Sequence, residues 1–341
     1  MLADGLECAG GFVWGGAVSV RIIQGDCREV LKTLESGSAQ MVCTSPPYYG
    51  LRRYLPDGHP DAALEIGIEP TPNEYVEQLV KIFREVRRVI RRDGTLWLNL
   101  SDSYAGSRCG PQGALGTLAN RSLASQREMR TAAGNHSARA GGKPKDRLMI
   151  PARVALALQA DGWWLRDEIV WHKPRPTPHP VKDRTVCAHE MVYLLTKAPH
   201  YYFDWEAIEE PSAYPGVKRK AGKAFRDLKE VDPNAARKRS EADREITVRE
   251  TRRARSVWSI SPSPYTDAHF ATMPPDLAER CIRAGSRAGD LVLDPFGGAC
   301  TTGMVADRLG RDAIMIDLKT EYCGQSKERM IRDAGMFADL R

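Results

Sequence analysis

The 341-residue sequence contains no apolar run of the roughly 18 or more residues that a membrane-spanning helix requires. Its eight cysteines are scattered without a C-x-x-C pair, which disfavours a zinc site and predicts reduced, mostly structural thiols. Residues 1–18 contain two glycine pairs and no basic segment before their apolar part, so we interpret them as a flexible leader and not as a secretory signal peptide. Together these absences predict a cytoplasmic protein that uses neither a membrane nor a metal ion.

Positive charge is concentrated in two segments of the chain. Residues 217–255 hold 14 Lys or Arg and 7 Asp or Glu, and residues 105–147 hold 8 Lys or Arg and 2 Asp or Glu. The remainder has 28 basic and 35 acidic residues. A mildly acidic scaffold with basic inserts is typical of a protein that binds a polyanion. Solvated surface loops carry similar charge runs, so the inserts alone do not identify the partner.

Short apolar runs rich in β-branched residues alternate with helical patterns along the rest of the chain. This alternation predicts an α/β fold built on a doubly wound, seven-stranded, mostly parallel sheet. The strands are expected at residues 19–24, 40–43, 95–100, 165–171, 190–195, 291–293 and 313–316. Helices are expected at residues 72–90, 147–160, 275–284 and 301–309, with a further charged helical stretch at 234–253.

The two basic segments interrupt this alternation. Residues 105–147 are rich in Gly, Ser, Ala and Asn and predict a long loop, and such loops in compact domains are usually functional or disordered. Residues 211–256 have few apolar positions and predict an insert. The expected domain organisation is therefore the leader 1–18, a first half of the main domain at 19–210, the insert at 211–256 and a second half of the main domain at 257–341.

Four of the predicted strands are followed by polar or conformationally special residues. In doubly wound sheets, ligands bind outside the carboxyl ends of the strands, so these residues are expected to meet at one site. The four strand ends are Gly25-Asp26, Ser45-Pro46-Pro47-Tyr48, Asp294-Pro295-Phe296-Gly297-Gly298 and Asp317.

The segment DPFGGACTTG, residues 294–303, follows a strand and opens a helix, as nucleotide-binding turns do. It lacks the G-x-G-x-x-G spacing of a nicotinamide dehydrogenase and the lysine of a P-loop. Gly297 and Gly298 let the backbone approach a ligand, and Thr301 or Thr302 is placed to cap the helix. Asp317 is placed to bond ribose hydroxyls. The expected ligand carries a ribose and an anionic group; a tight structural turn is the alternative.

The turn Ser45-Pro46-Pro47-Tyr48 suits chemistry at an exocyclic amine. The lone pair of such an amine is delocalised into the base, and two acceptors fixed on its N–H bonds favour the geometry that reacts. The Ser45 hydroxyl and the Pro46 carbonyl are the predicted acceptors, and the two prolines stiffen the turn. Tyr48, with Tyr49 beside it, offers an aromatic face to a flipped base. Taken alone, the motif also fits an ordinary strand-to-loop turn.

With these two motifs, the chain resembles the S-adenosylmethionine-dependent DNA amino-methyltransferases of the N4-cytosine and N6-adenine group, whose catalytic motif is [DNS]-P-P-[YFW]. The catalytic motif precedes the cofactor motif, as in the permuted β class, and the resemblance extends over about residues 19–330. It implies a class I, Rossmann-like methyltransferase fold, S-adenosyl-L-methionine as methyl donor, and double-stranded DNA as the substrate.

The resemblance also implies roles for individual residues. Asp26 is similar to the family residue that bonds the adenine of the cofactor, and Asp317 resembles the acidic residue on the ribose, which is Glu in most relatives. Cys300 stands where many relatives have glycine. The segment 211–256 lies where the β class carries its target-recognition region. The implied cofactor-binding residues are Asp26, Phe270, Ala271, Pro274, Asp294, Pro295, Phe296, Gly297, Gly298, Thr301, Thr302 and Asp317.

The resemblance leaves several alternatives open. Serine at the first motif position leans toward N4 of cytosine, whereas aspartate is usual for N6 of adenine. RNA and protein methyltransferases carry a similar Asn-Pro-Pro-Tyr turn, but after their glycine turn and not before it. A non-enzymatic DNA-binding protein explains the basic inserts but not the two motifs. A restriction–modification pair with a cognate restriction endonuclease, a phage enzyme and a solitary regulatory enzyme all stay open, as do monomer and homodimer.

Overall fold

The computed structural model describes residues 12–13, 19–51, 53–55, 58–105, 143, 145–176, 181–220, 245–262 and 273–334. The chain divides into two compact units, one formed by Met1–Phe203 with Ser256–Arg341 and the other by Asp204–Arg255. The second unit overlaps the basic insert expected at 211–256. Over the described ranges, no helix is long and apolar enough to cross a membrane.

The first unit is built on one nine-stranded sheet. Its members, in their order across the sheet, are β1 Phe12–Val13, β2 Ser19–Gln24, β13 Asp312–Asp317, β12 Leu291–Asp294, β3 Ala39–Thr44, β4 Ile90–Leu100, β6 His189–Thr196, β5 Trp164–His172 and β11 Val257–Ser259. All of these strands run parallel except β1 and β6.

All seven predicted strands are present, and the predicted α/β fold with a mostly parallel sheet is confirmed. Two short edge strands, β1 and β11, widen the sheet to nine. They escaped prediction because two or three residues are too few to display a strand period. The first of them lies inside the expected leader, where Phe12 pairs with Val20, so this part of the leader is a strand.

Six α-helices accompany the described part of the sheet: α1 Cys27–Thr33, α2 Pro72–Val89, α3 Ile150–Ala160, α4 Pro275–Gly285, α5 Thr301–Arg308 and α6 Thr320–Ala334. Short 3-10 helices occupy Pro60–Leu64 and Glu206–Ile208. Helix α2 begins with a capping box between Thr71 and Glu74, and Pro72 follows the cap. The apolar face of α2, with Leu79 and Phe83 fully buried, packs into the core, as its 3.6-residue period predicts.

Helix α3 begins three residues later than predicted because an acidic side chain fixes its start. Asp102, two residues after the end of β4, accepts hydrogen bonds from the backbone N–H of Ile150 at 2.9 Å and from the Arg147 guanidinium at 2.6 Å. The Asp102 side chain is only 5% exposed. This buried carboxylate therefore joins the end of a central strand to the start of a helix 48 residues later in the chain.

Backbone hydrogen bonds hold together the two ends of the segment 106–142, which lies outside the described residues. The N–H of Ala105 donates to the carbonyl of Asp146 at 2.8 Å, and the N–H of Lys145 donates to the carbonyl of Ala105 at 2.7 Å. Tyr104 and Arg147 form a β-bridge beside them. The two ends of the predicted loop 105–147 are therefore joined to each other, and the loop is described only at these ends.

The second unit contains two small antiparallel ribbons. Glu210 forms ion pairs with Arg252 at 3.0 Å and Arg255 at 2.6 Å, and the Arg253 guanidinium lies 4.8 Å from the ring centroid of Trp205. The ribbons pair β7 Glu210–Pro211 with β10 Thr251–Arg252, and β8 Lys218–Lys220 with β9 Glu245–Thr247.

The predicted helical stretch 234–253 is wrong over residues 245–253, where the chain forms β9 and β10. Between the charged residues lie β-branched residues, such as Ile246, Thr247 and Thr251, which favour extended backbone over helix. Residues 234–244 lie outside the described part of the chain.

The described cysteines form no disulfide with one another, and their predicted reduced state stays a prediction. Cys187 is exposed, and the other five lie in the interior: Cys27, Cys43, Cys281, Cys300 and Cys323. Cys8 and Cys109 lie outside the described residues.

Candidate active site

The four strand ends singled out from the sequence lie together at one edge of the sheet. The carbonyl of Asp317 accepts from the N–H of Gly25 at 2.8 Å, so the ends of β13 and β2 are in contact. The hydroxyl of Thr44, the last residue of β3, donates to Asp294 at 2.6 Å, so the ends of β3 and β12 are in contact as well. The expectation that the two motifs share an edge is confirmed.

Asp294 is a buried acid between the two motifs. Its carboxylate accepts from the hydroxyls of Thr44 at 2.6 Å and Thr302 at 2.9 Å and from the N–H of Phe296 at 3.0 Å. Burial raises the pKa of Asp294 to about 6, although these three hydrogen bonds act in the opposite direction. Asp294 therefore fastens β3 to β12 and to the first turn of α5, directly before both motifs.

The glycine turn is held tightly against β13. A Cβ added to Gly297 would lie 3.2 Å from the Cβ of Met315 and 3.3 Å from the carbonyl of Ile316, so a larger residue does not fit there without movement. Gly298 has a φ of +48°, and a Cβ added to it would meet only the carbonyl of Phe296, at 3.8 Å. Gly297 thus packs against the sheet, whereas the backbone at Gly298 has open space on its Cα side.

Asp317 stabilises the glycine turn from the neighbouring strand. Its carboxylate accepts from the N–H of Gly298 at 2.9 Å and from the N–H of Lys319 at 2.8 Å. Burial raises the pKa of Asp317 to about 6. An aspartate at this place reaches the turn itself, and the ribose contact predicted for it stays a prediction.

The prediction that Thr301 or Thr302 caps α5 is wrong. Cys300 occupies the cap position with a left-handed φ of +58°, and its side chain makes no capping bond. Both threonines are buried in the first turn instead. The hydroxyl of Thr301 accepts from the Arg329 guanidinium at 3.0 Å, and the hydroxyl of Thr302 lies within bonding distance of Asp294.

Asp26 follows β2 at the same edge and caps α1. It accepts from the N–H of Arg28 at 2.9 Å and forms an ion pair with the Arg28 guanidinium at 2.7 Å. Its side chain is 14% exposed, and its predicted contact with the cofactor adenine stays a prediction. Pro274 is buried at the cap of α4, whereas Phe270 and Ala271 lie outside the described residues.

The Ser45-Pro46-Pro47-Tyr48 turn, called the elbow below, is supported from α2. The Tyr75 hydroxyl, on α2, donates to the carbonyl of Pro47 at 2.8 Å. The hydroxyl of Ser45 lies 3.1 Å from that of Tyr48. Among the described residues, no donor reaches the carbonyl of Pro46, so this carbonyl keeps its capacity to accept a hydrogen bond.

The two adjacent tyrosines have different environments. Tyr48 is half-buried at the site. Tyr49 is only 3% exposed, its ring centroid lies 5.5 Å from that of Tyr75, and its hydroxyl donates to the carbonyl of Pro70. Tyr49 is therefore a core residue, and its predicted share in stacking a base is wrong.

Two side chains that the sequence did not indicate, Glu190 and Asn99, lie against the elbow. The Tyr48 hydroxyl lies 2.7 Å from the carboxylate of Glu190 and 3.0 Å from the amide oxygen of Asn99. Glu190 forms an ion pair with Lys173, whose ammonium lies 4.5 Å from the ring centroid of Trp171. Burial, and then the charge of Glu190, raise the pKa of Tyr48 well above its ordinary value, so the phenol stays protonated.

The direction of β6 explains how Glu190 reaches the site. Because β6 runs antiparallel to its neighbours, its first residues lie at the edge where parallel strands end. Asn99 pairs with Val192 and Trp171 pairs with Glu190, which places these side chains on one face. The available sequence signal was a charged residue at each border of an apolar run, in WHK and HEM.

No group of three His, Cys, Asp or Glu side chains is placed to hold a metal ion within the ranges described above.

Comparison with known proteins identifies the family. A family model described as DNA methylase matches residues 39–328. The Type II methyltransferase M.SmaI of Serratia marcescens is 38% identical over 314 residues, which are 92% of this chain and 91% of that protein. The Type II methyltransferase M.Cfr9I of Citrobacter freundii is 37% identical over 309 residues, 91% of this chain and 87% of that protein.

Solved structures share the fold. PvuII DNA methyltransferase (cytosine-N4-specific) matches with a TM-score of 0.56 at 20% identity, over 96% of this chain and 98% of that one. A putative DNA modification methylase from Thermus thermophilus, complexed with S-adenosyl-L-methionine, matches with a TM-score of 0.55 at 24% identity, over 93% and 95%. The family match includes both motifs, and the chain therefore belongs to the DNA methylases that transfer a methyl group from S-adenosyl-L-methionine to an exocyclic amine, at N6 of adenine or N4 of cytosine.

Proposed function

We propose that this enzyme is site-specific and methylates N4 of a cytosine that is flipped out of duplex DNA. The observation that carries this choice is Ser45, an uncharged hydroxyl at the first position of the catalytic motif, held beside the glycine turn through Thr44 and Asp294. Relatives with serine at this position lean toward cytosine, and the PvuII enzyme of the same fold is named cytosine-N4-specific. N6 of adenine is the alternative, and its amine requires the same two acceptors.

The elbow is proposed to hold the reacting nitrogen. The Ser45 hydroxyl and the Pro46 carbonyl accept its two N–H bonds, which turns the lone pair out of the plane of the base before reaction. The Tyr48 ring offers a face on which the base stacks. Because Ser45 is half-buried at the sheet edge, a base inside a helix does not reach it, and the target must leave the stack at a cost of a few kcal/mol.

The glycine turn and its neighbours are proposed to hold S-adenosyl-L-methionine, which supplies the methyl group as a sulfonium. The accessible side of Gly298 admits a ligand close to the backbone, and Asp317 offers a carboxylate there. Asp26 at the next strand end is assigned to the adenine, and Pro274 to the methionine part. Phe296 completes the turn beside Asp294.

The basic segments are proposed to track the phosphates of the duplex. Residues 105–147 and 211–256 carry the excess positive charge, whereas the rest of the chain is mildly acidic. Relatives such as M.SmaI are named Type II methyltransferases. We therefore assign the enzyme to a restriction–modification system, in which it protects the sites of a partner endonuclease.

Digestion of methylated DNA to nucleosides, followed by mass spectrometry, tests the proposal directly. In three parallel reactions, the purified chain and S-adenosyl-L-methionine are incubated with duplex DNA, with RNA or with a protein mixture. We expect N4-methylcytosine from duplex DNA alone. N6-methyladenine selects the alternative base, and methyl transfer to RNA or protein but not to DNA refutes the proposal.

Ser45→Ala tests the role of the elbow in the same assay. We expect the variant to bind S-adenosyl-L-methionine as the wild type does and to transfer methyl groups at least about 100-fold more slowly, because one of the two acceptors is lost. Full activity in Ser45→Ala means that another group orients the amine.

A further inference from the structure

A continuous chain of hydrogen bonds leads away from Ser45 into the protein. The Ser45 hydroxyl lies 3.1 Å from the Tyr48 hydroxyl, which in turn lies 2.7 Å from the Glu190 carboxylate. The other oxygen of Glu190 pairs with the ammonium of Lys173. The Glu190 side chain is 10% exposed and Lys173 is 22% exposed, so the pair is largely shielded from solvent.

The partners fix the direction of this chain. A carboxylate paired with an ammonium only accepts hydrogen bonds, so Tyr48 donates toward Glu190. The competing acceptor is the amide oxygen of Asn99, at 3.0 Å, which faces Tyr48 because the Asn99 amide nitrogen donates to the carbonyl of Met191. A bond to a charged acceptor is about twice as strong as one to a neutral acceptor, and here it is also the shorter one.

The direction of the Tyr48 hydrogen bond determines the direction in which the Ser45 hydroxyl donates. With the Tyr48 proton on the Glu190 side, the Tyr48 oxygen accepts the Ser45 proton. The lone pairs of Ser45 then face away from Tyr48. An amine needs such lone pairs as acceptors for its N–H bonds, and a freely rotating hydroxyl would offer its proton part of the time instead.

We propose that Glu190, held by Lys173, is a positioning residue that orients the Ser45 hydroxyl through Tyr48 and finally takes the proton that the amine loses on methylation. The proposal rests on the amine methylation proposed above, and it holds for cytosine and adenine alike. The antiparallel strand β6 delivers this carboxylate without placing a charge against the base itself.

Methylation of the amine leaves one proton to be removed. The amine nitrogen forms a bond to the methyl carbon as the carbon–sulfur bond breaks toward sulfur, which leaves a neutral thioether product and a positively charged amine. This amine gives one N–H proton to Ser45, Ser45 gives its proton to Tyr48, and Tyr48 gives its proton to Glu190. One N–H bond is lost, one O–H bond forms on the carboxylate, and Glu190 later returns the proton to water.

A mutant cycle tests this chain. The variants are Glu190→Gln, which removes the charge at nearly constant shape, Tyr48→Phe, which keeps the ring, and the double variant. The readouts are the single-turnover methylation rate and the KM values for duplex DNA and S-adenosyl-L-methionine. Loss of a correctly oriented hydrogen-bond partner at the reacting group costs about 100-fold or more, so we expect each single variant to lose about that factor with KM changed less than about twofold.

The double variant separates a relay from a structural role. Residues that act as one unit are not additive, so we expect the double variant to be within about threefold of either single variant. Asp290→Asn is the matched control, because Asp290 is also a buried carboxylate in an ion pair, with Arg91 at 2.8 Å, before the amino end of β12. It is expected to leave the methylation rate unchanged.

The outcomes are distinguishable from those that concern the proposed function. The proposal is overturned if Glu190→Gln keeps the wild-type rate, if the two single losses multiply in the double variant, or if Asp290→Asn loses as much. A wild-type chain that methylates adenine overturns the choice of base and leaves the role of Glu190 standing. A wild-type chain that methylates no nucleic acid refutes the proposed function, and the present proposal with it.

Discussion

Removing the hydroxyl of Thr44 probes the junction between the two motifs. Thr44 is fully buried, and its hydroxyl donates to the Asp294 carboxylate at 2.6 Å. Thr44→Val keeps the shape of the side chain and deletes only this donor. Because the pKa of Asp294 is raised to about 6, the carboxyl is largely protonated at pH 5 and ionised at pH 8. The cost of the substitution should therefore depend on pH.

The magnitude follows from the charge of the acceptor. A hydrogen bond to an ionised group contributes about 1.5–3 kcal/mol to stability, and one between neutral groups contributes about 1 kcal/mol. Thr44→Val should thus lower the free energy of unfolding by about 1 kcal/mol at pH 5 and by about 2.5 kcal/mol at pH 8. The sign agrees with proton linkage. The folded-state pKa of Asp294 exceeds its ordinary value, so its contribution is greatest at low pH and is lost as the pH rises through about 6. Losing a donor raises that pKa further and deepens the loss.

Urea unfolding followed by tryptophan fluorescence at pH 5 and pH 8 measures both costs. Thr196→Val is the matched control, because Thr196 is equally buried and its hydroxyl donates to the neutral carbonyl of Ala198 at 2.8 Å. Its cost should be the same at both pH values. An equal cost for Thr44→Val at pH 5 and pH 8 would contradict the assignment of Asp294 as the ionisable centre of this junction.

Three further predictions concern the ligand sites. In the wild type, S-adenosyl-L-methionine affinity measured by calorimetry should rise between pH 5 and pH 7, because the pKa of Asp317 is about 6 and the ionised carboxylate accepts ribose hydroxyls better. Asp317→Asn should abolish this rise. A flat wild-type profile contradicts the prediction. Gly297→Ala should lower the free energy of unfolding by about 1–3 kcal/mol through overpacking against Met315, whereas Gly324→Ala, which meets nothing within 4 Å, should not be destabilising. Deletion of 217–255 should weaken DNA binding and flatten its salt dependence in titrations at two salt concentrations, while cofactor affinity stays the same; unchanged DNA affinity would show that this segment does not bind phosphates.

The central strands were predictable because their apolar runs carry a local signal. Every residue of β3 is buried, and the Ser45 elbow follows directly, so the sequence alone located the strand end and the residues after it. The same reasoning missed Glu190, which contacts Tyr48 across 142 residues of chain. Rules about the carboxyl ends of parallel strands do not apply to the start of an antiparallel strand, where Glu190 is the second residue of β6. Its position depends on long-range pairing that no local pattern contains.

The sequence also did not show that two neighbouring residues of the same type have different environments. Tyr48 and Tyr49 follow the same two prolines, yet one hydroxyl lies beside Glu190 and the other ring packs on Tyr75. Thr301 and Thr302 both suited a helix cap, but the left-handed Cys300 took that position and turned both hydroxyls into the core. The environment of each of these side chains depends on which side of the backbone faces the sheet. That in turn depends on the three-dimensional path of the turn.

The joined ends of the segment 106–142 have a consequence for how such an enzyme diversifies. The backbone bonds that join Ala105 to Lys145 and Asp146 involve no residue of 106–142, so they do not depend on which side chains that segment carries. We therefore expect changes of length or sequence within 106–142 to leave the framework in place, because Asp102 continues to bind Arg147 and Ile150 outside that segment.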